Sequence, residues 1–149
     1  MPTCIIREAS VKDASQIASL SGQLGYPAQP AKVQERLTRI FSTADNCVFV
    51  AENEDRTVIG WIHGFLTQLV ESELRVEVGG LIVDQAQRNQ GVGRALLEAL
   101  EGWAAKRDAK QVSARCNAKR VESHKFYEKL GYQAAKTQLA FRKPLESPQ

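Results

Sequence analysis

A turn that contains two glycines is the segment of this sequence best suited to hold a ligand. It spans residues 88–94 (RNQGVGR), after an apolar strand-like run and before the strongly helical run at 95–100. The first N–H groups of a helix have no partner within the helix and lie at the positive end of its dipole, so they bind anions. Gly91 and Gly93 lack a Cβ, which lets an anion approach the main chain. The pattern predicts a phosphate-binding turn, and the alternative is a helix that packs closely on a sheet at two glycines.

The spacing of this turn does not match the two common nucleotide-binding loops. No Lys-Ser or Lys-Thr pair follows Gly93, and the glycines do not form G-x-G-x-x-G. A nucleotide-binding module without further chemistry is therefore the least favoured of the functions that the turn allows.

Tyr127 is the first side chain with possible acid–base chemistry. It lies in the pattern Phe126-Tyr127 followed by Gly131-Tyr132. A tyrosine on an amphipathic helix is most often a packing residue. A phenol with a pKa near 10 can also donate a hydrogen bond or a proton to a thiolate, whose parent thiol has a pKa of about 8.5.

Glu77 is the second such side chain, because it places a carboxylate inside an otherwise apolar strand. Burial of a carboxylate is costly unless it has a partner or a function. Strict alternation predicts that it shares a face with Gly79, Leu81 and Val83. Two interpretations stay open: a general base or acceptor-binding group, and a solvated or ion-paired strand residue.

Together, the R-x-x-G-x-G turn after an apolar strand and the Phe-Tyr…Gly-Tyr element resemble the GNAT superfamily of N-acetyltransferases, most clearly over residues 74–135. The resemblance implies acetyl-CoA as co-substrate and no metal. It implies that Tyr127 protonates the leaving thiolate and that the main chain near Leu81 and Val83 binds the pantetheine arm, with Asn117. It implies a pyrophosphate site formed by Arg88, Asn89, Gln90, Gly91, Val92, Gly93 and Arg94. Many relatives carry a second glutamate where this chain has Gly79, which leaves the base unassigned.

The acceptor side is less well marked. Tyr26 lies in a loop that walls the acceptor pocket in the family, Trp61 shares a strand face with His63, and Glu71 stands between strands where it could attract a cationic amine. We expect His63 to be structural, and we expect the thiol of Cys116 to be buried and inert.

The elements around these residues predict an α/β (α+β) fold with a mixed, mostly antiparallel sheet and helices on both faces. Ser10 with Asp13 predicts a helix start, and a second helix starts near Pro30 with an apolar stripe of Val33, Leu37, Ile40 and Phe41. The other predicted elements are strands at 5–6, 47–51, 58–66, 74–83 and 111–115, helices at 91–107 and through 127, and two short strands at 132–135 and 138–142.

Composition limits the function further. A chain of 149 residues with a net charge of +3 predicts a single domain over 1–149 with a mobile tail from about residue 144. It has no dense basic run and no apolar stretch of membrane-spanning length, which argues against nucleic-acid and membrane partners. Three distant cysteines predict reduced thiols and a cytoplasmic location.

The sequence thus favours an N-acetyltransferase for a small-molecule or peptide amine, with a possible homodimer. The alternative is a catalytically inactive acyl-CoA sensor. The identity of the acceptor cannot be read from the sequence, because one fold supports many acceptors.

Overall fold

The computed structural model describes residues 4–23, 25, 27–116 and 118–146. The chain divides into two compact units, Met1–Arg115 and Cys116–Gln149. The first unit contains β1 (Cys4–Glu8), α1 (Ala14–Gln23), α2 (Pro30–Ile40), β2 (Asn46–Asn53), β3 (Val58–Thr67), β4 (Arg75–Val83), α3 (Val92–Lys106) and β5 (Gln111–Ala114), with short 3-10 turns at Val11–Asp13 and Gln85–Gln87. The second contains α4 (Val121–Lys129).

The sheet has the strand order β1-β2-β3-β4-β5. The first three pairs are antiparallel, whereas β4 and β5 are parallel and are joined through α3. This arrangement confirms the predicted fold class, a mixed and mostly antiparallel sheet. The predicted domain boundaries, 1–149, stay a prediction.

Helices cover both faces of this sheet. On one face, Gly60 and Gly64 of β3 lie under α3, and a Cβ at Gly64 would run into Leu100. On the other face, buried residues of α1 and α2 pack in one cluster with β-strand residues such as Val50 and Ile82. The two glycines therefore allow α3 to sit close to the strand, which fixes where its N-terminus emerges.

The predicted helix starts are largely confirmed. Ser10 and Asp13 form a reciprocal capping box, although the element they open is a 3-10 turn that leads into α1. Arg7 donates to both Asp13 oxygens, at 2.8 and 3.0 Å, and holds the pKa of that buried carboxyl below its usual range. Pro30 occupies the first turn of α2, as expected, because its missing N–H costs nothing there.

Two predicted details are wrong. Phe41 lies beyond the end of α2 and is 37% exposed, so it does not belong to the apolar stripe of that helix. The described residues 132–146 form no strand, although strands were expected at 132–135 and 138–142. Alternating apolar residues select a face, but a strand also needs a neighbouring edge to pair with, and alternation does not supply one.

A β-bulge interrupts β4 at Gly79. His63 pairs with Gly80 but Gly64 pairs with Val78, so β4 has one residue more than β3 at this point. The expected alternation from Glu77 to Val83 is therefore wrong. Leu81 lies opposite Ile62 and Val83 lies opposite Gly60 on the α3 side, while Gly79 and Gly80 both face Trp61 and His63. Glu77, opposite Phe65, also lies on that second face.

Candidate active site

The turn after β4 has the backbone geometry of an anion site. Asn89 and Gly91 adopt left-handed conformations with φ of 65° and 83°, and Gly91 is the N-cap of α3 without a side-chain cap. Asp84 fixes the approach to the turn, because its Oδ1 accepts from the N–H of Ala86 at 3.0 Å. Alternating backbone conformations of this type direct successive N–H groups into one concavity.

The N–H groups of this turn are available to a ligand. Within the described part of the chain, none of the N–H groups from Asn89 to Arg94 has an acceptor, and the first backbone bond of α3 is donated by Ala95 to Gly91. Residues 88–91 are exposed, whereas Val92 is buried against the sheet. Because Val92 is buried and the residues before it are exposed, the turn is fixed to the sheet while its N–H groups stay accessible.

The two arginines of the turn differ. Arg94 pairs with Glu98 at 2.8 Å on the exposed surface of α3, an arrangement that contributes little stability. Arg88 has no ion-pair partner among the described residues. The Arg88 guanidinium is therefore available to bind a phosphate, whereas that of Arg94 is already paired with Glu98.

The outer edge of β4 is open beyond its first half. Pairing with β5 covers Arg75 to Val78 only. The main-chain groups of Leu81 and Val83 on that edge consequently have no strand partner in the described ranges. An extended ligand arm can pair with such an edge as an added strand would.

Glu77 has ionic partners on its own face of the sheet. Its Oε1 lies 3.7 Å from Arg115 Nε, 3.9 Å from an Arg75 guanidinium nitrogen and 3.3 Å from the hydroxyl of Ser113, which donates to it. The Glu77 side chain is 13% exposed. Sequence patterning did not reveal Ser113 and Arg115 as partners, because they lie on the far side of a helical crossover from Glu77.

Tyr127 belongs to the second unit and lies in an aromatic cluster on α4. Its ring contacts Phe126 and Tyr132 edge-on, with centroids 5.1 and 5.5 Å apart. Burial, and to a smaller extent the charge of Cys116, raises the pKa of Tyr127 to about 12. A phenol with this pKa stays protonated at physiological pH and is able to donate a hydrogen bond.

The predicted acceptor residues are dispersed. Trp61 packs against the α1–α2 cluster, and its buried Nε1 has no hydrogen-bond partner among the described residues. Glu71 is exposed in the loop before β4, at the opposite end of that strand from the glycine turn. Tyr26 and Asn117 lie outside the described residues.

His63 is a polar side chain for which the sequence analysis predicted only a structural role. Its Nε2 lies 3.0 Å from Asn46 Oδ1, and the Asn46 amide nitrogen donates to Thr43 Oγ1 at 3.0 Å. Burial lowers the pKa of His63 from its ordinary value. The adjacent glycines in β4 opposite Trp61 and His63 were an available signal, because glycine in a strand often marks a close approach.

The thiols differ from expectation in one case. Cys116 is exposed, not buried as predicted, although partial burial of its thiol raises its pKa. Cys47 is buried and its thiol pKa rises to about 12. The described residues contain no group of three or more potential metal ligands and no helix long and apolar enough to cross a membrane.

Comparison with known proteins gives a consistent result. The model of the acetyltransferase (GNAT) family matches residues 13–132. Aminoglycoside N(6')-acetyltransferase type 1 of Stenotrophomonas maltophilia is 27% identical over 146 residues, covering 95% of this chain and 94% of that protein.

Solved structures share the fold across nearly the whole chain. A protein from Bacillus halodurans C-125, described as a transcriptional regulator, has a TM-score of 0.84 at 23% identity, covering 94% of this chain and 99% of that one. The structure of AAC(6')-Iy with a bisubstrate analogue, CoA-S-monomethyl-acetylneamine, has a TM-score of 0.84 at 18% identity, covering 97% of this chain and 100% of that one.

Proposed function

Because the chain belongs to the acetyltransferase (GNAT) family and is an acyltransferase enzyme, we propose that it transfers an acetyl group from acetyl-CoA to a primary amine. The amine attacks directly while both substrates are bound. The observation that carries this proposal is the turn at the start of α3, where six successive N–H groups from Asn89 to Arg94 lack an acceptor within the described ranges. Donors of this kind suit a pyrophosphate.

The first unit offers two further elements to the coenzyme. The open edge of β4 at Leu81 and Val83 provides main-chain groups for the pantetheine arm, and Arg88 provides a positive charge beside the pyrophosphate. Bound acetyl-CoA supplies a thioester, the activated form of the acetyl group. A main-chain N–H on the β4 edge would stabilise the developing negative charge on the carbonyl oxygen.

We propose an amine of an amino sugar as the acceptor. The support is the Stenotrophomonas maltophilia relative, which is named as an aminoglycoside acetyltransferase and aligns over almost the full length of both proteins. Glu71, exposed in the loop before β4, would add negative charge for a cationic amine. Trp61, Tyr26 and Asn117 stay proposals as substrate or coenzyme contacts.

An amine panel tests this function. The protein is incubated with acetyl-CoA and neamine, glucosamine, spermidine or a lysine-containing peptide, and CoA release is followed over time. We expect release with neamine above the rate of thioester hydrolysis. Stabilisation by acetyl-CoA without release for any amine would instead indicate an acyl-CoA sensor.

Glu77→Gln should impair turnover more than folding. Glutamine keeps the size of the side chain and its hydrogen bond to Ser113 but removes the charge that faces Arg75 and Arg115. If Glu77 is the base, the acidic limb of the pH profile of kcat/KM should vanish in the variant. If it binds the cationic acceptor, KM should rise while the limb stays, and Glu52→Gln, which alters a carboxylate paired with Arg7 elsewhere in the sheet, should change neither.

We also propose a homodimer. The support is the exposure of Leu139, Phe141 and Leu145 in the second unit, at 82, 89 and 88%, because apolar side chains this exposed suit burial against a second copy. Light scattering at working concentration should give twice the chain mass. A mass near 16.5 kDa would reject the dimer.

A further inference from the structure

The position of Gly79 is filled by a side chain from the neighbouring strand. A Cβ on Gly79 would lie 2.7 Å from Nδ1 of His63 and 3.3 Å from its Cε1. The space into which a residue-79 side chain would project is therefore occupied by an imidazole. This imidazole lies on the same face of the sheet as Glu77.

The two ring nitrogens of His63 differ in their surroundings. Nε2 lies 3.0 Å from Asn46 Oδ1, and Asn46 Nδ2 donates to Thr43 Oγ1. With the amide of Asn46 in this orientation, its oxygen accepts from Nε2–H, which leaves the lone pair of the ring on Nδ1. Nδ1 has no hydrogen-bond partner among the described residues.

We propose that His63 is the base that takes the proton from the acceptor amine, in the place of a carboxylate at residue 79, and that Asn46 is its positioning residue. This inference rests on the proposed acetyl transfer. It identifies a catalytic residue on β3, whereas the sequence pointed to β4.

The proton balance of the step is simple. The bound ammonium gives one proton to Nδ1, and the neutral amine forms the C–N bond to the acetyl carbon as the C–S bond breaks. The thiolate leaves with the electron pair and takes the second proton from nitrogen. The imidazolium then releases its proton to water, so the products are the amide, CoA thiol and one proton.

The surroundings of His63 favour the neutral, basic form. Two groups of charges lie on its face of the sheet: Glu77 pairs with Arg75 and Arg115, and Arg7 on β1 pairs with Asp13 and Glu52. Helix α1 contains no charged residue, and β2 presents Asn46 and Val48. The charged residues of α2 are exposed: Lys32, Glu35, Arg36 and Arg39. Burial lowers the pKa of His63 from its ordinary value, which favours the neutral ring.

The test is the pH dependence of kcat/KM for His63→Gln, measured with the amine that the panel identifies. We expect a loss of about 10²–10⁴-fold at pH 7, the usual contribution of a general base. The loss should disappear above the pKa of the acceptor amine, because the amine then arrives neutral from solution. A purely structural role for His63 would lower kcat/KM at every pH alike.

Two variants complete the test. His124→Gln removes the only other histidine of the chain and should keep the acidic limb. Asn46→Asp places a carboxylate against Nε2, which favours the imidazolium, so the acidic limb should move to higher pH. If His63→Gln does not fold, as judged by melting in the presence of acetyl-CoA, the Asn46→Asp profile decides alone.

The results of these experiments distinguish a failure of the His63 assignment from a failure of the proposed acetyl transfer. A parent protein that releases no CoA with any amine overturns the proposed function and, with it, the base. A parent protein that turns over, with an unchanged acidic limb in His63→Gln or in Asn46→Asp, overturns only the role of His63.

Discussion

Gly91→Asp should abolish the stabilisation of this protein by acetyl-CoA. Gly91 is the N-cap of α3, next to the free N–H groups of Gly93 and Arg94. A carboxylate there competes for those donors and repels the pyrophosphate. At about 5 Å and an effective dielectric constant of 20, each pair of unit charges costs roughly 3 kcal/mol. The dissociation constant of acetyl-CoA should therefore rise at least about 100-fold.

Thermal melting measures this effect directly. At 100 times its dissociation constant, a ligand stabilises the folded protein by about 2.7 kcal/mol, which is a shift of roughly 5–10 °C for a chain of this size. Analogues of acetyl-CoA that lack the sulfur or the 3'-phosphate but keep the pyrophosphate should still shift the parent protein. They should not shift Gly91→Asp.

Gly25→Asp is the matched control. Gly25 has a similar positive φ of 79°, and a Cβ there meets nothing within 4 Å, so the variant carries the same backbone strain and the same added charge. It should lower the melting temperature slightly and leave the acetyl-CoA shift intact. If Gly91→Asp binds acetyl-CoA as tightly as Gly25→Asp does, the pyrophosphate does not lie at this turn.

The parts of the site that could be predicted from sequence are those that depend on local pattern. The strand, turn and helix around residues 88–94 follow from periodicity and from two glycines, and the structure gives that turn free donors. The prediction for Tyr127 likewise rests on a local pattern, with Gly131 and Tyr132. Its backbone carbonyl accepts from the N–H of Tyr132 at 3.0 Å, which closes the end of α4.

The predictions that were wrong or missing concern contacts between strands. One extra residue at Gly79 reverses the faces of Leu81 and Val83, and alternation alone cannot reveal a bulge. Ser113 and Arg115 became visible as partners of Glu77 only when β5 was placed beside β4. The contact between His63 and Asn46 joins residues 17 positions apart on β3 and β2, a spacing that no local rule connects.

Tyr127→Phe should lower kcat by about 10- to 150-fold while acetyl-CoA affinity stays close to that of the parent protein. With the pKa of Tyr127 at about 12 and that of the leaving thiol near 8.5, full proton transfer is uphill by roughly 5 kcal/mol. The phenol is therefore better suited to donate a hydrogen bond to the developing thiolate than to give up its proton. A hydrogen bond to a charged group contributes about 1.5–3 kcal/mol, which sets the expected loss.

Three measurements distinguish this role from packing. Tyr132→Phe removes a phenol from the same aromatic cluster and should leave kcat nearly unchanged. The kcat of the parent protein should not fall as pH rises through 10, the ordinary tyrosine pKa, because the raised pKa keeps the Tyr127 donor protonated. Fluorinated tyrosine at position 127, a stronger acid, should change kcat only slightly if the proton stays on oxygen. An unchanged kcat in Tyr127→Phe, with chemistry shown to be rate-limiting, would remove Tyr127 from the mechanism and leave thiolate stabilisation to main-chain donors and water.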